Sequence, residues 1–526
     1  MKEKNQSGGP KIIFSLIATL HLMQAAPGTL AAVGQAQRTG GKGEAGYEVV
    51  GASITGASEV RPLAGKAASR LELESSDTRL VEVFNWAKRQ AIAFAFDGDP
   101  VGPWYEAAEP GREAFCMRDT AHQAMGAHAL GLARHNLNML RRFAENVSDS
   151  RDWCSLWEIN RHNRPAPVDY KNDAEFWYNL PANFDILDCC YRMYVWTGDL
   201  TYVNEPVFLD FYDRTVNDYV ERWDLSLERI MKRERLLNVR GAFDPHKKFQ
   251  ANRGIPGYDE GNQEYVLGVD LLATQYAAYL AYARIQGVRG KEELARSYLK
   301  MAADVKALVN SAWWNEKEQY FYARLDKDHK LEGSSGGGLL YRDIVDDEPK
   351  LKSALSEAGR GAGAEVLYRY GDPDSATAQL LDLSRSRLEY PEVSFSKIGE
   401  IVNGTMGINL EFTSPLLAAV EGFWVETQVE TLSGLGTKIA WAELRNLPIR
   451  ANEVTVRHEG LRKTVFTNQR GPALIWLATF AGAHDTLLVN GRPVKARAEK
   501  GPLGRVTSSV RVTVGGGGTV NVEIPK

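Results

Sequence analysis

The stretch YVLGVDLLATQYAAYLAYARIQG, residues 265–287, is apolar on nearly every side. A helix of that kind is buried from most directions. The stretch that follows, EELARSYLKMAADVKALVNSAWW (292–314), has two faces, with Leu294, Tyr298, Met301, Ala302, Val305 and Leu308 along one stripe. A wholly apolar helix followed by an amphipathic one is the pair that an inner and an outer helix of an α/α toroid would present. The same helical period runs through Leu80, Val83, Phe84, Ala87, Ala91 and Phe94. It returns in FDILDCCYRMYVWTGDL (184–200), which stops at Gly198. A further helix is expected to start at Asp119 as its N-cap. Roughly nine or ten helices can be drawn between residues 75 and 410, joined by loops long enough to carry a site.

Near Leu447 the period changes to two. NEVTVRHEG, KTVFTN, ALIWLATF, DTLLVNGRPVKA, SSVRVTV and TVNVEI alternate, and Asn490–Gly491 is a hairpin turn signal. The expected fold is mainly α: an α/α toroid over 69–440, then a small antiparallel, sandwich-like β domain over 441–526. His458, alone in TVRHEG, reads as a solvent-facing strand residue.

Composition narrows the function. The chain has 526 residues, 44% hydrophobic and 25% charged, with a net charge of −4. No global basic field points to nucleic acid or to an anionic membrane. Lys2, Lys4 and Lys11 precede the apolar run IIFSLIATLHLM and small residues, which reads as a secretory signal peptide over 1–36 with a leader over 37–68. The expectation is an exported protein, periplasmic or extracellular, with no membrane partner once the signal is cleaved. The four cysteines show no zinc spacing and read as buried thiols, although a Cys116–Cys154 disulfide is permitted. No metal or cofactor is expected.

There is no Walker loop, no GxGxxG after a strand, no HExxH and no GxSxG. Carboxylates in aromatic-rich loops remain, and paired carboxyl groups are what glycosidic cleavage needs. Three clusters offer them. YEAAEPGREAFCMRDTAHQAMG (105–126) brings Glu106, Arg118, Asp119 and His122 beside Trp104 and Tyr105. GIPGYDEGNQEYVLG (254–268) carries Asp259, Glu260 and Glu264 with Tyr258. RLEYPEVSFSKIGEIVNGTMGI (387–408) places Glu392 in an extended segment with Glu400 eight residues on. DWCSLWEINRHNRPAPVDYKNDAEFWYNLP (152–181) is too long and polar for a plain linker and is expected to wall the pocket. Trp153, Trp157, Trp177 and Tyr178 are candidate sugar platforms there, and Asp173 and Glu175 candidate hydroxyl ligands.

Together these pieces resemble the six-hairpin, (α/α)6-barrel glycoside hydrolases, which include glucoamylases, exo-mannosidases and α-L-rhamnosidases. FCMRDTAHQ (115–123) resembles their W-x-RD-S/T segment, and NSAWWNEKEQYFYARLDKDHK (310–330) resembles the tail of an outer helix in these barrels. The resemblance implies that Arg118 and Asp119 bind substrate; Trp104, Tyr105, Glu106, His122, Trp177 and Tyr258, in the neighbouring aromatic-rich loops, are further candidates for binding it. It places the general acid on the 259–264 loop, Glu264 ahead of Asp259 and Glu260. It places the base in YPEVSF, Glu392 ahead of Glu400. The rhamnosidase signature D-x-P-x-R-D-E is absent. An inverting mechanism is expected, with carboxyl groups roughly 6.5–9.5 Å apart. Two other readings stand beside it: a polysaccharide lyase using His122, His162 or Tyr258 near an arginine, and a catalytically inactive carbohydrate-binding barrel.

Overall fold

The structure is a computed structural model that describes residues 68–233, 238–239, 252–259, 265–358, 363–370, 372–383, 388–411 and 428–526. The signal peptide and leader read in the sequence lie outside the described residues, as do Glu260 and Glu264.

Among the described residues, twelve helices alternate between an outer and an inner ring, with the short helices Thr201–Asn204 and Asp218–Arg222 flanking one outer helix. The outer ones are α1 (Thr78–Ala93), α3 (Ala133–Glu145), α5 (Pro206–Val216), α7 (Glu292–Ala312), α9 (Glu348–Ala358) and α11 (Pro373–Leu381). The inner ones are α2 (Met117–Ala129), α4 (Pro181–Thr197), α6 (Val269–Val288), α8 (Gly337–Tyr341), α10 (Ala364–Tyr370) and α12 (Pro391–Glu400). Each inner helix packs against the next around the ring. The circle closes where α12, prolonged by the π-turn Ile401–Thr405, meets α10 on one side and α2 on the other.

The sequence accounts for this layering. Helix α6 buries residues all round its circumference, while α7 buries Ala295, Tyr298, Ala302, Val305 and Val309 and leaves its other face wet. Helix α1 buries Leu80, Val83, Phe84, Ala87 and Ala91 and is capped by Asp77, whose side chain accepts the Arg79 N–H at 2.9 Å. Gly198, at φ 70°, ends α4 in the left-handed region. At the α2–α12 contact, a β-carbon on Gly126 would stand 1.9 Å from the Phe395 carbonyl oxygen. Gly126→Ala must push two inner helices apart. It is expected to cost about 1–3 kcal/mol of stability, read by urea unfolding.

Two starting points differ from the sequence reading. Helix α2 begins at Met117, so Asp119 lies within its first turn and is not the N-cap. Strand Ala114–Cys116, paired with Glu158–Asn160, runs directly into the helix, and the Met117 N–H bonds the Trp157 carbonyl at 3.0 Å. Glu392 lies in a helix and not in an extended segment. Tyr390 is extended, and Pro391, whose missing N–H costs nothing at a first helical position, opens α12.

The β domain is wider than 441–526 and is not purely antiparallel. Its seven-stranded sheet takes Glu72–Ser75 from ahead of α1, and its five-stranded sheet takes Ile408–Glu411 and Gln428–Leu432. Gln428–Leu432 pairs in parallel with Leu474–Ala481. Phe466 and Trp476 stack between the sheets at 5.1 Å. The hairpin turn is where the sequence puts it, with Asn490 at φ 49° and Gly491 at φ 76°. His458 is buried, not solvent-facing: its ring nitrogens bond Thr464 Oγ1 and the Met406 carbonyl, and burial lowers its pKa to about 4. All four cysteines are buried and free. No helix among the described residues is long and apolar enough to cross a membrane.

This domain sits against one end of the barrel. His128 Nε2, in the last turn of α2, donates to the Pro448 carbonyl at 3.0 Å, and the Arg450 N–H donates to Trp196 at the end of α4 at 2.7 Å. Helices α2 and α4 run the same way, since Arg118 and Asp185 interact near their starts and His128 meets Trp196 at their ends. The helix starts therefore form the opposite mouth.

Candidate active site

The end of the barrel away from the β domain gathers side chains, some at its surface and some enclosed beneath it, from four consecutive inner helices. Helix α2 brings Arg118, Asp119 and His122, α4 brings Asp185 and Asp188, α6 brings Asp270, and the end of α8 brings Tyr341 and Arg342. Tyr258 reaches them from a loop whose position two strand pairings determine. Asn252–Ile255 lies parallel to Tyr178–Asn179, just before α4. Tyr265–Gly268 pairs with Arg324–Asp326 and runs straight into α6, with the Gly268 N–H on the Pro256 carbonyl at 2.8 Å.

Tyr258 is the hub. Its hydroxyl donates to Asp185 at 2.8 and 2.7 Å to the two carboxylate oxygens, and its backbone N–H donates to Asp270 Oδ2 at 2.6 Å. The Arg118 guanidinium is clamped between the rings of Tyr258 and Trp157, 5.5 and 5.6 Å from their centroids. The His122 ring stands edge-on to Tyr258 and to Tyr341, at 6.3 and 6.1 Å.

Beneath Tyr258 lies a buried ionic network. Arg342 pairs with Asp185 and, at 2.8 Å, with Asp188, which also holds Arg192 at 2.9 Å. The Asp185 side chain has no exposed surface. Burial pushes its carboxyl up against the pull of Arg342. At Asp188 burial acts the same way, but Arg192 and Arg342 outweigh it and hold the carboxyl below its ordinary value.

Asp270 differs from these. It opens the most apolar of the long helices among the described residues, remains partly exposed, and accepts N–H bonds from Tyr258 and from Leu271 at 2.9 Å. Burial nevertheless pushes its pKa up to about 6. It is a carboxyl group that keeps its proton to about pH 6, well above an ordinary aspartate, at the inner-helix starts.

Several residues expected to bind substrate are elsewhere. Trp104 and Tyr105 are core: Trp104 Nε1 donates to Asp99 at 2.7 Å, and the Tyr105 hydroxyl donates to Asn136 at 2.8 Å. Glu106 is buried and turned back onto its own loop, accepting the Glu113 N–H at 2.9 Å, and burial raises its pKa to about 7. Trp177 is half-buried against the core on the wall segment. That wall threads beside the mouth, but Asp173 is held by Arg151 and Tyr170, and Glu175 by Lys171. Asp259 is at the surface, 3.6 Å from Arg324. Glu392 lies in the first turn of α12, at the inner-helix starts. Glu400 ends that helix, roughly 12 Å further along at 1.5 Å per residue, toward the β-domain end.

Asp185, Asp188, Asp270, Tyr341 and Arg342 were not singled out from the sequence. The first two had a signal: carboxylates three apart in FDILDCC, on a helix with little else polar on it. Asp270 had a weaker one, a lone charge at the head of an apolar helix. Tyr341 and Arg342 had none. Among the described residues no group of His, Cys, Asp and Glu could hold a metal ion.

No protein-family model matches the chain, and no curated protein matches it. Solved structures do match. A GH78 family rhamnosidase of Bacillus sp. GL1 aligns over 76% of this chain and 40% of its own, with a TM-score of 0.50 at 10% identity. An α-L-rhamnosidase from Dictyoglumus thermophilum aligns over 87% and 51%, with a TM-score of 0.52 at 12% identity. A sialidase aligns over 84% and 41%, with a TM-score of 0.51 at 12% identity. The chain thus spans about half or less of each of these proteins. At such identities the likeness is one of fold: an α/α toroid with a β domain, the architecture of these six-hairpin structures.

Proposed function

We propose that this chain is an exported glycoside hydrolase that removes terminal sugars from oligo- or polysaccharides by an inverting, two-carboxyl mechanism. Asp270 carries the reading: a partly exposed carboxyl group with its pKa raised to about 6, at the mouth of an α/α toroid. In its protonated form it supplies the proton that the leaving oxygen needs. In this reading Asp270, and not Glu264, Glu260 or Asp259, is the general acid. Glu392, on the first turn of the sixth inner helix, is the base. The third and sixth inner helices stand opposite each other in a ring of six, and inversion requires their two carboxyl groups to face each other across roughly 6.5–9.5 Å with a water between them. Glu400, toward the other end of α12, drops out. Asp119, and His122 beside the Tyr258 ring, are both partly exposed and line the sugar subsite in this reading, and Arg118 forms part of its floor.

The fold likeness to rhamnosidase structures supports a sugar substrate by analogy. The lyase reading loses weight, because the Tyr258 hydroxyl is engaged as a donor to Asp185, and burial with that carboxylate pushes its pKa up, away from a base. A panel of aryl glycosides, with product anomers followed by NMR, tests the proposal. Hydrolysis with inversion is the expected result, and a panel with no cleavage in any member counts against it. Glu392→Gln is expected to abolish hydrolysis while leaving the thermal unfolding curve in place, and wild-type turnover removes Glu392 from the mechanism.

A further inference from the structure

We infer that Asp185 and Arg342 are positioning residues that act through the Tyr258 hydroxyl to hold the Tyr258 N–H on the carboxyl group of Asp270. This rests on the reading of Asp270 as the acid. Neither residue is placed to meet a substrate: the Asp185 side chain is wholly enclosed, and that of Arg342 is 7% exposed. Both Asp185 oxygens accept from one hydroxyl, which fixes the far end of the Tyr258 side chain. Arg342 fixes Asp185 in turn, and Asp188 and Arg192 brace Arg342, with Arg192 also donating to the Ala121 carbonyl of α2 at 3.0 Å. The near end of Tyr258 is its N–H on Asp270.

The fit at that end is close. A β-carbon on Gly257 would lie 2.7 Å from Asp270 Oδ1, so a small pivot of Tyr258 changes what the carboxyl group meets. The loop has other anchors, the Tyr265 hydroxyl on the Asp259 carbonyl at 2.8 Å and the Gly268 N–H on Pro256. Removing the Tyr258 hydroxyl therefore frees the pivot without unfolding the loop. The Tyr258 N–H stabilises the ionised form of Asp270, so weakening that bond moves the carboxyl group further up.

Tyr258→Phe tests this in two ways. On a glycoside that the wild type cleaves, kcat is expected to fall by roughly 10- to 100-fold at nearly unchanged KM. The alkaline limb of kcat/KM should move up by roughly half a pH unit or more. A lowered melting temperature with wild-type kcat and an unmoved limb overturns the inference. The second measurement uses no activity. The unfolding free energy of each protein minus that of its Asp270→Asn counterpart, followed from pH 4 to pH 8, reports the titration of Asp270 alone. Its midpoint should lie higher in the Tyr258→Phe background, and an unmoved midpoint overturns the clamp whether or not a sugar is cleaved. If Asp270→Asn keeps wild-type turnover while the midpoint moves, the acid assignment fails and the clamp stands.

Discussion

Asp270→Asn is expected to lower kcat/KM on a cleaved glycoside by about 10²- to 10⁴-fold, the range a positioned proton donor supplies. The carboxyl group is partly exposed at the barrel mouth, and burial holds its pKa near 6. A general acid works only when protonated, so wild-type kcat/KM should fall as pH rises through about 6. Asparagine has no proton to give, and the residual activity should lose that alkaline limb. A linked effect on stability follows with a definite sign. The folded form holds this proton more tightly than the unfolded chain, whose aspartate titrates near 3.8. The wild type should therefore lose stability relative to the variant as pH rises from about 4 to about 6. A variant with wild-type kcat/KM and an unchanged pH profile removes Asp270 from the chemistry.

Asp185→Ala is expected to have the largest effect on stability, about 3–5 kcal/mol in urea unfolding. The substitution strips the buried Arg342 guanidinium of one carboxylate and leaves the Tyr258 hydroxyl without its acceptor. Coulomb attraction is not the main item in that figure, because forming a buried pair also desolvates both charges. The cost arises because a charge already out of water is left with half its compensation. Asp188 still holds Arg342 at 2.8 Å, which keeps the loss within this range. A loss below about 1 kcal/mol, typical of an exposed pair, shows that water reaches the network.

How far the site could be read in the sequence varied from residue to residue. RDTAH places Arg118, Asp119 and His122 in the first turns of an inner helix, but Asp119 is not the cap the sequence suggests, because the incoming strand runs straight into that helix. Trp104 and Tyr105 look identical in sequence whether they face a sugar or a core. Only the packing of their rings against Phe96 and Phe395 shows that they are core. Glu106 was equally ambiguous, because a carboxylate folded onto its own loop leaves no mark on composition. The 254–268 segment is where the sequence places the acid, yet the described carboxyl group with the raised pKa lies two residues beyond it, at Asp270.

The sequence by itself determined the periods: 3.6 over the helices, two over the strands, and the Asn490–Gly491 turn between two of them. These are local preferences, set by which neighbouring side chains share a face and which residues tolerate positive φ. Tertiary structure decided which carboxyl groups are buried and what they pair with. Asp185 and Arg342 are 157 positions apart and meet only because the ring of inner helices closes. Burial, and with it the proton affinity of Asp270, is set by what the rest of the chain packs around a group, and no window of neighbouring residues contains it.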